Sequence, residues 1–179
     1  LGHNIYYCGT IPSFCGSESK DTSKSDTGYV GLNNQGATGY LNCLIQALFH
    51  LPVFRKLIYD IPTTGNENPN TSITLAIQRL FYQLQFSDKS CSTKKLTKSF
   101  GWGSQISNIT QDIEEFSFIL INYLEMKTKG TILQNSIPQL IRGRFRKHIK
   151  CKNIYYESFK EEFFKDLSMD VKGIPNLSE

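Results

Sequence analysis

A polar, glycine-containing turn, Asn33-Asn34-Gln35-Gly36-Ala37-Thr38-Gly39, runs directly into Tyr40-Leu41-Asn42-Cys43-Leu44-Ile45-Gln46-Ala47-Leu48-Phe49. Leu41, Leu44, Ile45, Leu48 and Phe49 recur at helical spacing. A loop that enters a mostly buried helix leaves the first backbone N–H groups of that helix unpaired. Those groups and the positive end of the helix dipole favour developing negative charge. A nucleophile and an oxyanion site can be built together at such a junction. The structural alternative is a capped core helix with a tight lead-in. Cys43 is the thiol on this stretch, one helical turn after Gly39 and about 5–6 Å from it. A misplacement of about 1 Å can cost a hundredfold in rate. Cys43 is therefore read as a small buried cysteine of a core helix.

Two further clusters carry charge. Asp112, Glu114 and Glu115 load the first turn of a second helix with acid, as the dipole prefers, and Asn108 with Gln111 has the form of a capping box. Further on, Arg142, Arg144, Arg146, His148, Lys150 and Lys152 alternate with Ile141, Gly143, Phe145, Lys147, Ile149 and Cys151. That is a strand with one wholly basic face. Such a stripe can track phosphates, but Phe145 is the only interleaved aromatic, so base stacking is poorly supported and an acid-facing or solvated strand is preferred. His50 closes the first helix, where it suits the C-terminal dipole.

The elements that position these residues follow from periodicity and breakers. The first helix spans about 39–50 and stops near Pro52. A short helix over 53–59 follows, then a loop over 62–70. Ile73, Ala76, Ile77, Leu80, Phe81 and Leu84 mark a third helix. Residues 93–100 read as a short basic helix, broken by Gly101-Trp102-Gly103. The long acidic-start helix carries Ile113, Phe116, Leu120 and Leu124 as its buried stripe. A last strand places Phe163, Leu167, Met169 and Val171 on one side. Helices first and strands after argue α+β.

The chain has 179 residues, enough for one domain with a sizeable core. Hydrophobic content of 39% and aromatic content of 12% fit a globular protein. The net charge of +4 is too mild to imply nucleic acid without a localised patch. No apolar run is long enough for a membrane helix, and no signal-peptide pattern is visible. The scattered cysteines Cys8, Cys15, Cys43, Cys91 and Cys151 include no Cys-x-x-Cys pair, so neither a zinc site nor another cofactor is expected. Free thiols suit a reducing compartment, nucleus or cytoplasm. Residues 1–27 read as a flexible linker or the remnant of an upstream domain.

The run Asn33-Asn34-Gln35-Gly36-Ala37-Thr38-Gly39-Tyr40-Leu41-Asn42-Cys43-Leu44-Ile45-Gln46-Ala47-Leu48 closely resembles the cysteine box of the ubiquitin-specific proteases, papain-like deubiquitinases. Gly39 stands where that family has its nucleophilic cysteine. The similarity spans roughly 28–173. Local runs such as Leu75-Ala76-Ile77-Gln78-Arg79 and Thr93-Lys94-Lys95-Leu96-Thr97-Lys98-Ser99-Phe100-Gly101-Trp102 place it nearest the herpesvirus-associated branch.

The resemblance implies a papain-like fold, of which residues 28–179 supply the helical thumb and the first palm and finger strands. It places Asn34 at the position whose side-chain amide stabilises the oxyanion. It places Asp112 and Glu115 at the acids that hold the C-terminal tail of ubiquitin, and Trp102 at the start of a loop that rearranges on activation. Gln111 and Glu114 depart from the family's histidine and glutamine. The family's general-base histidine and its orienting partner fall in a region after Glu179, and His3, His50 and His148 have no matching context. Covalent catalysis by the family mechanism is impossible with glycine at position 39. The expectation is an inactive deubiquitinase-like domain acting on ubiquitin or ubiquitinated proteins. The alternatives are a catalytically dead module that binds ubiquitin or a partner, and a truncated product with an exposed sheet edge.

Overall fold

A computed structural model describes residues 24, 27–64, 66–68, 70–102, 112–169 and 172. The capping box of Asn108 and Gln111, most of the expected linker, Gly103 and Val171 lie outside the described residues. The element order is β1 (Leu32–Asn33), α1 (Gly39–Phe49), α2 (Pro52–Asp60), α3 (Ile73–Phe86), β2 (Cys91–Ser92), α4 (Lys94–Ser99), α5 (Ile113–Thr128), α6 (Ser136–Ile141), β3 (Gly143–Lys150) and β4 (Glu157–Phe164). The arrangement is α+β.

The helices bury the apolar faces that their spacing dictates. In α1, Leu41, Ile45, Leu48 and Phe49 are buried. Leu51 is extended and Pro52 opens α2, so the two helix axes turn by 92°. Proline at the first helical position loses no helical hydrogen bond and presets the backbone angle. The whole predicted stripe of α3 is buried. Ser72 caps that helix by accepting from Leu75 N at 3.3 Å, and its hydroxyl donates to Glu67 at 2.5 Å. Lys127 of α5 reaches the same carboxylate at 3.2 Å, so one acid ties the 62–70 loop to two helices. No single helix among the described residues is long and apolar enough to cross a membrane.

Three expectations are corrected. Ile113 is 44% exposed rather than part of the α5 stripe, because residues 112–115 project beyond the core and the helix meets it only from Phe116. Cys43 is exposed, since it lies some 200° around α1 from buried Leu41 and Ile45. The last strand covers Glu157–Phe164, so Leu167 and Met169 fall after it. Its limits are set by pairing, not by its own alternation: Gly143 pairs with Phe164 and Lys150 with Glu157. Three features are additional to the sequence reading: α6, the start of β4, and a parallel bridge in which Leu32 faces Cys91 and Asn33 faces Ser92.

In the β3–β4 hairpin, directly opposed residues share a face. One face holds Arg144, Arg146, His148 and Lys150 against Phe163, Glu161, Phe159 and Glu157. The other holds Phe145 stacked on Phe164 with ring centres 4.1 Å apart. A Cβ at Gly143 would fall inside the Phe164 ring, so the glycine makes room for that stack. Lys147 at 2.7 Å and Lys160 at 2.8 Å both grip Glu162. Their hydrogen bonds, and then their charges, hold its carboxyl down at about 2. A depressed carboxylate contributes stability above its unfolded value, and that contribution is lost as pH falls through the folded value. Protection of the β3–β4 amides against hydrogen exchange, taken relative to their intrinsic rates, should therefore fall between pH 4.5 and about 2 before that of the α3 amides does. Equal loss in both would show that the hairpin does not depend on this cluster.

Candidate functional site

Thr38 precedes the first residue of α1 and is 1% exposed. A threonine there would ordinarily cap the helix with its hydroxyl. Here it makes no cap bond. Its Oγ1 instead donates to Asn34 Oδ1 at 3.1 Å and accepts from Gln35 N at 3.0 Å. The first helical bond is Asn42 N to Thr38 O at 3.0 Å. The opening N–H groups of α1 therefore have no side-chain cap, and no acidic residue occupies the first turn. This is the polar environment in which an anion or a developing oxyanion is stabilised.

The lead-in loop is pinned from several sides. Gly36 takes a φ of +107°, a backbone angle open to glycine, and turns the chain into the helix. The Gln35 amide donates to buried Thr93 Oγ1 at the start of α4. Asn42 Nδ2 reaches Asn33 O at 3.3 Å and Gln46 Nε2 reaches Val30 O at 2.9 Å. The β1–β2 bridge anchors the chain just before the loop. Asn34 is exposed, with its carbonyl oxygen taken by Thr38. Its amide NH2 makes no hydrogen bond among the described residues, so it is available to donate.

Gly39 is exposed and begins α1. Its backbone is not among the positive-φ glycines. A Cβ built on it meets nothing within 4 Å. Neither backbone angle nor space requires glycine at this position.

The next residue, Tyr40, packs edge-on against Phe116 with ring centres 6.0 Å apart. Burial first, and then the Glu115 carboxylate, push the Tyr40 phenol above its ordinary value. Its hydroxyl oxygen is buried with no hydrogen-bond partner among the described residues. Phe116 is fully buried and also receives Phe100 at 5.4 Å and Trp102 at 5.7 Å. Phe100 and Trp102 stack on each other at 4.9 Å. Asp112 caps α5 by accepting from Glu114 N at 2.9 Å, which occupies one of its carboxylate oxygens. Glu115 is exposed one residue before Phe116. The structure thus brings Tyr40, Trp102 and Glu115 to one aromatic corner, next to Gly39 and Asp112. The rest of the Trp102 loop lies outside the described residues.

Sequence reasoning put Phe116 in a core stripe but gave it no part in the site. Thr38 carried a signal, a hydroxyl at the helix boundary, but the direction of its bonds is a tertiary matter. The basic stripe of β3 meets carboxylates: Arg144 and Arg146 pair with Glu161, Lys150 with Glu157, and Arg142 with Glu125. His148 stacks on Phe159 at 4.3 Å. Among the described residues, no three His, Cys, Asp or Glu side chains gather as a metal site would require.

Trp102 is the chain's only tryptophan and reports on this corner. Phe116→Ala should cost about 3–5 kcal/mol and shift Trp102 emission to the red. Met126→Ala, at a position 76% exposed on the same helix, should change stability by less than about 0.5 kcal/mol and leave emission unmoved. Thermal melts and fluorescence spectra of both variants check this.

A family model described as ubiquitin carboxyl-terminal hydrolase matches residues 30–177. Ubiquitin C-terminal hydrolase 13 of Arabidopsis thaliana is 50% identical over 155 residues, covering 87% of this chain and 14% of that protein. Ubiquitin carboxyl-terminal hydrolase 15 of Saccharomyces cerevisiae is 48% identical over 157 residues, covering 88% of this chain and 13% of that protein. Ubiquitin carboxyl-terminal hydrolase 7 of Drosophila melanogaster is 46% identical over 157 residues, again 88% of this chain and 14% of that protein. The chain spans 13–14% of the length of these relatives.

Proposed function

The chain belongs to the ubiquitin carboxyl-terminal hydrolase family, the ubiquitin-specific proteases, and from that premise we propose that it recognises ubiquitin with a site silenced at its nucleophile. In the family reaction a thiolate attacks the carbonyl after the terminal glycine of ubiquitin. An imidazole takes the proton and returns it to the leaving amine, while amide and backbone donors hold the oxyanion. Glycine offers no side-chain nucleophile, so that covalent route is closed at position 39. The exposed thiol of Cys43 lies a full helical turn on and does not replace it.

The observation that carries this reading is the setting of Gly39. Its missing Cβ faces open space in ordinary backbone, while Asn34, Thr38 and the uncapped start of α1 remain organised around it. The loss is chemical rather than architectural. In this reading the helical part corresponds to the thumb of a papain-like domain and β3–β4 to its first palm and finger strands. The Asn34 amide sits at the oxyanion position. Asp112 and Glu115 face the arginines of the ubiquitin tail, pairing that charge-assisted hydrogen bonds favour. Trp102 opens the loop that rearranges on activation. The exposed thiols of Cys43 and Cys151 support a reducing compartment, nucleus or cytoplasm.

The full-length protein should release no fluorophore above blank from ubiquitin carrying a fluorogenic C-terminal amide. It should still bind ubiquitin, and Asp112→Ala with Glu115→Ala should weaken that binding about tenfold. Turnover would overturn the silencing. Ubiquitin binding unchanged by the double variant would overturn the assignment of the tail site.

A further inference from the structure

A second basic region lies outside the hairpin. Residues 70–102 hold five bases, Arg79, Lys89, Lys94, Lys95 and Lys98, against one acid, Asp88, and so carry a net of +4, the same as the whole chain. Asp88 is engaged by Lys24 at 3.0 Å. The five bases form no ion pair with any described residue. The contrast with the hairpin is sharp, because there Arg144, Arg146, Lys147 and Lys150 each meet a glutamate.

The free bases are also shaped into a surface. Leu96, Thr97 and Ser99 are buried in the short helix α4, which turns Lys94, Lys95 and Lys98 outward together. The Ser99 hydroxyl donates to Leu96 O at 2.7 Å and the Thr97 hydroxyl to Lys94 O at 3.0 Å, so the platform is internally tied. Lys94, Lys95 and Lys98 line one hollow of about 430 Å³. Arg79 and Lys95 line a second of about 340 Å³. Gln83, Ser92 and Lys95 belong to both, so the two hollows adjoin. Among the described residues, no acidic side chain lines either one.

We propose that this groove between α3 and α4 docks an extended acidic peptide segment of a protein partner. A row of cations interspersed with amide and hydroxyl groups complements alternating carboxylates and backbone polar groups. Three of the four lining bases are lysines, compact point charges on flexible stems that adapt to carboxylates without a fixed fork. Nucleic acid fits the groove less well. Its binding uses a longer track of phosphate contacts and exposed aromatic faces for the bases. The one lining aromatic, Tyr82, is already packed against Phe86 with ring centres 4.7 Å apart.

The test is fluorescence anisotropy of the full-length protein with a short labelled peptide of alternating Glu and Ser, in low and in rising salt. The unaltered protein should bind the peptide, and salt should weaken that binding. The combined substitution Lys94→Glu, Lys95→Glu and Lys98→Glu should weaken it about tenfold or more. Lys147→Glu with Lys150→Glu on the hairpin should leave it nearly unchanged. The three lysine side chains are exposed and form no ion pair with any described residue, so thermal melts of the variants should match the parent; Lys→Gln at the same three positions serves if the reversal fails to fold. No peptide binding, or equal loss in the hairpin variant, would overturn the proposal. Tighter binding of a single-stranded oligonucleotide of equal charge, lost in the same lysine variant, would also overturn it and assign the groove to nucleic acid. Ubiquitin binding should be the same in the lysine variants and the parent, which keeps this test separate from the tail site.

Discussion

The packing of three aromatic rings onto Phe116 is the constraint on which the rest of the site depends. Tyr40 comes from the start of α1, Phe100 and Trp102 come from the turn after α4, and all three meet that one fully buried ring. Tyr40, Trp102 and Phe116 itself each adjoin or supply a residue that the family resemblance puts at the site. Gly39 precedes Tyr40, Glu115 precedes Phe116, and Trp102 is the residue that the family resemblance puts at the start of a loop that rearranges on activation. Edge-on and tilted ring pairs have defined geometry and limited rotamer freedom, so they fix the approach of the start of α1 to the start of α5. Charged and polar groups alone would not hold that corner, because the first turn of α5 is exposed and its ion pairs would be worth little in water.

With the corner fixed, the loop before α1 needs only local bonds to define the rest. Thr38 is the pivot. By bonding back to Asn34 and Gln35 it shapes the turn and leaves the helix start without a side-chain cap. An uncapped helix start costs stability, typically about 1 kcal/mol. The buried α1 face, from Leu41 to Phe49, offsets such a cost many times over. A helix with no anion to receive would more simply spend the threonine on its own cap. The geometry leaves the start of α1 open to an anion.

Much of this was legible in the sequence. The helical stripe of α3 gave every buried apolar residue of that helix but not buried Thr74, and the buried residues of α1 follow its spacing. The helical boundaries mostly lie within a residue or two, because Pro52, Ser72 and the Gly101 turn punctuate the chain. What the sequence did not reveal depends on partners distant along the chain. Cys43 reads as core by its type, but its place around α1 faces solvent. The end of β4 is set by pairing with β3, so a single-strand alternation overran it. The two-residue β1–β2 bridge is too short to have any period. The neutralisation of the basic face required knowing that Glu157 and Glu161 lie directly opposite.

The central claim, from the function proposed above, is that the junction at the start of α1 stays organised while position 39 offers no nucleophile. The most direct measurement is reaction with ubiquitin bearing a thiol-trapping group at its C-terminus, comparing the unaltered protein with Gly39→Cys and mapping any adduct by mass spectrometry. The account predicts no adduct on the unaltered protein and a single adduct at position 39 in the variant, where the introduced side chain has open space. An adduct on the unaltered protein, an adduct at Cys43, or a folded Gly39→Cys protein that takes no label would contradict it.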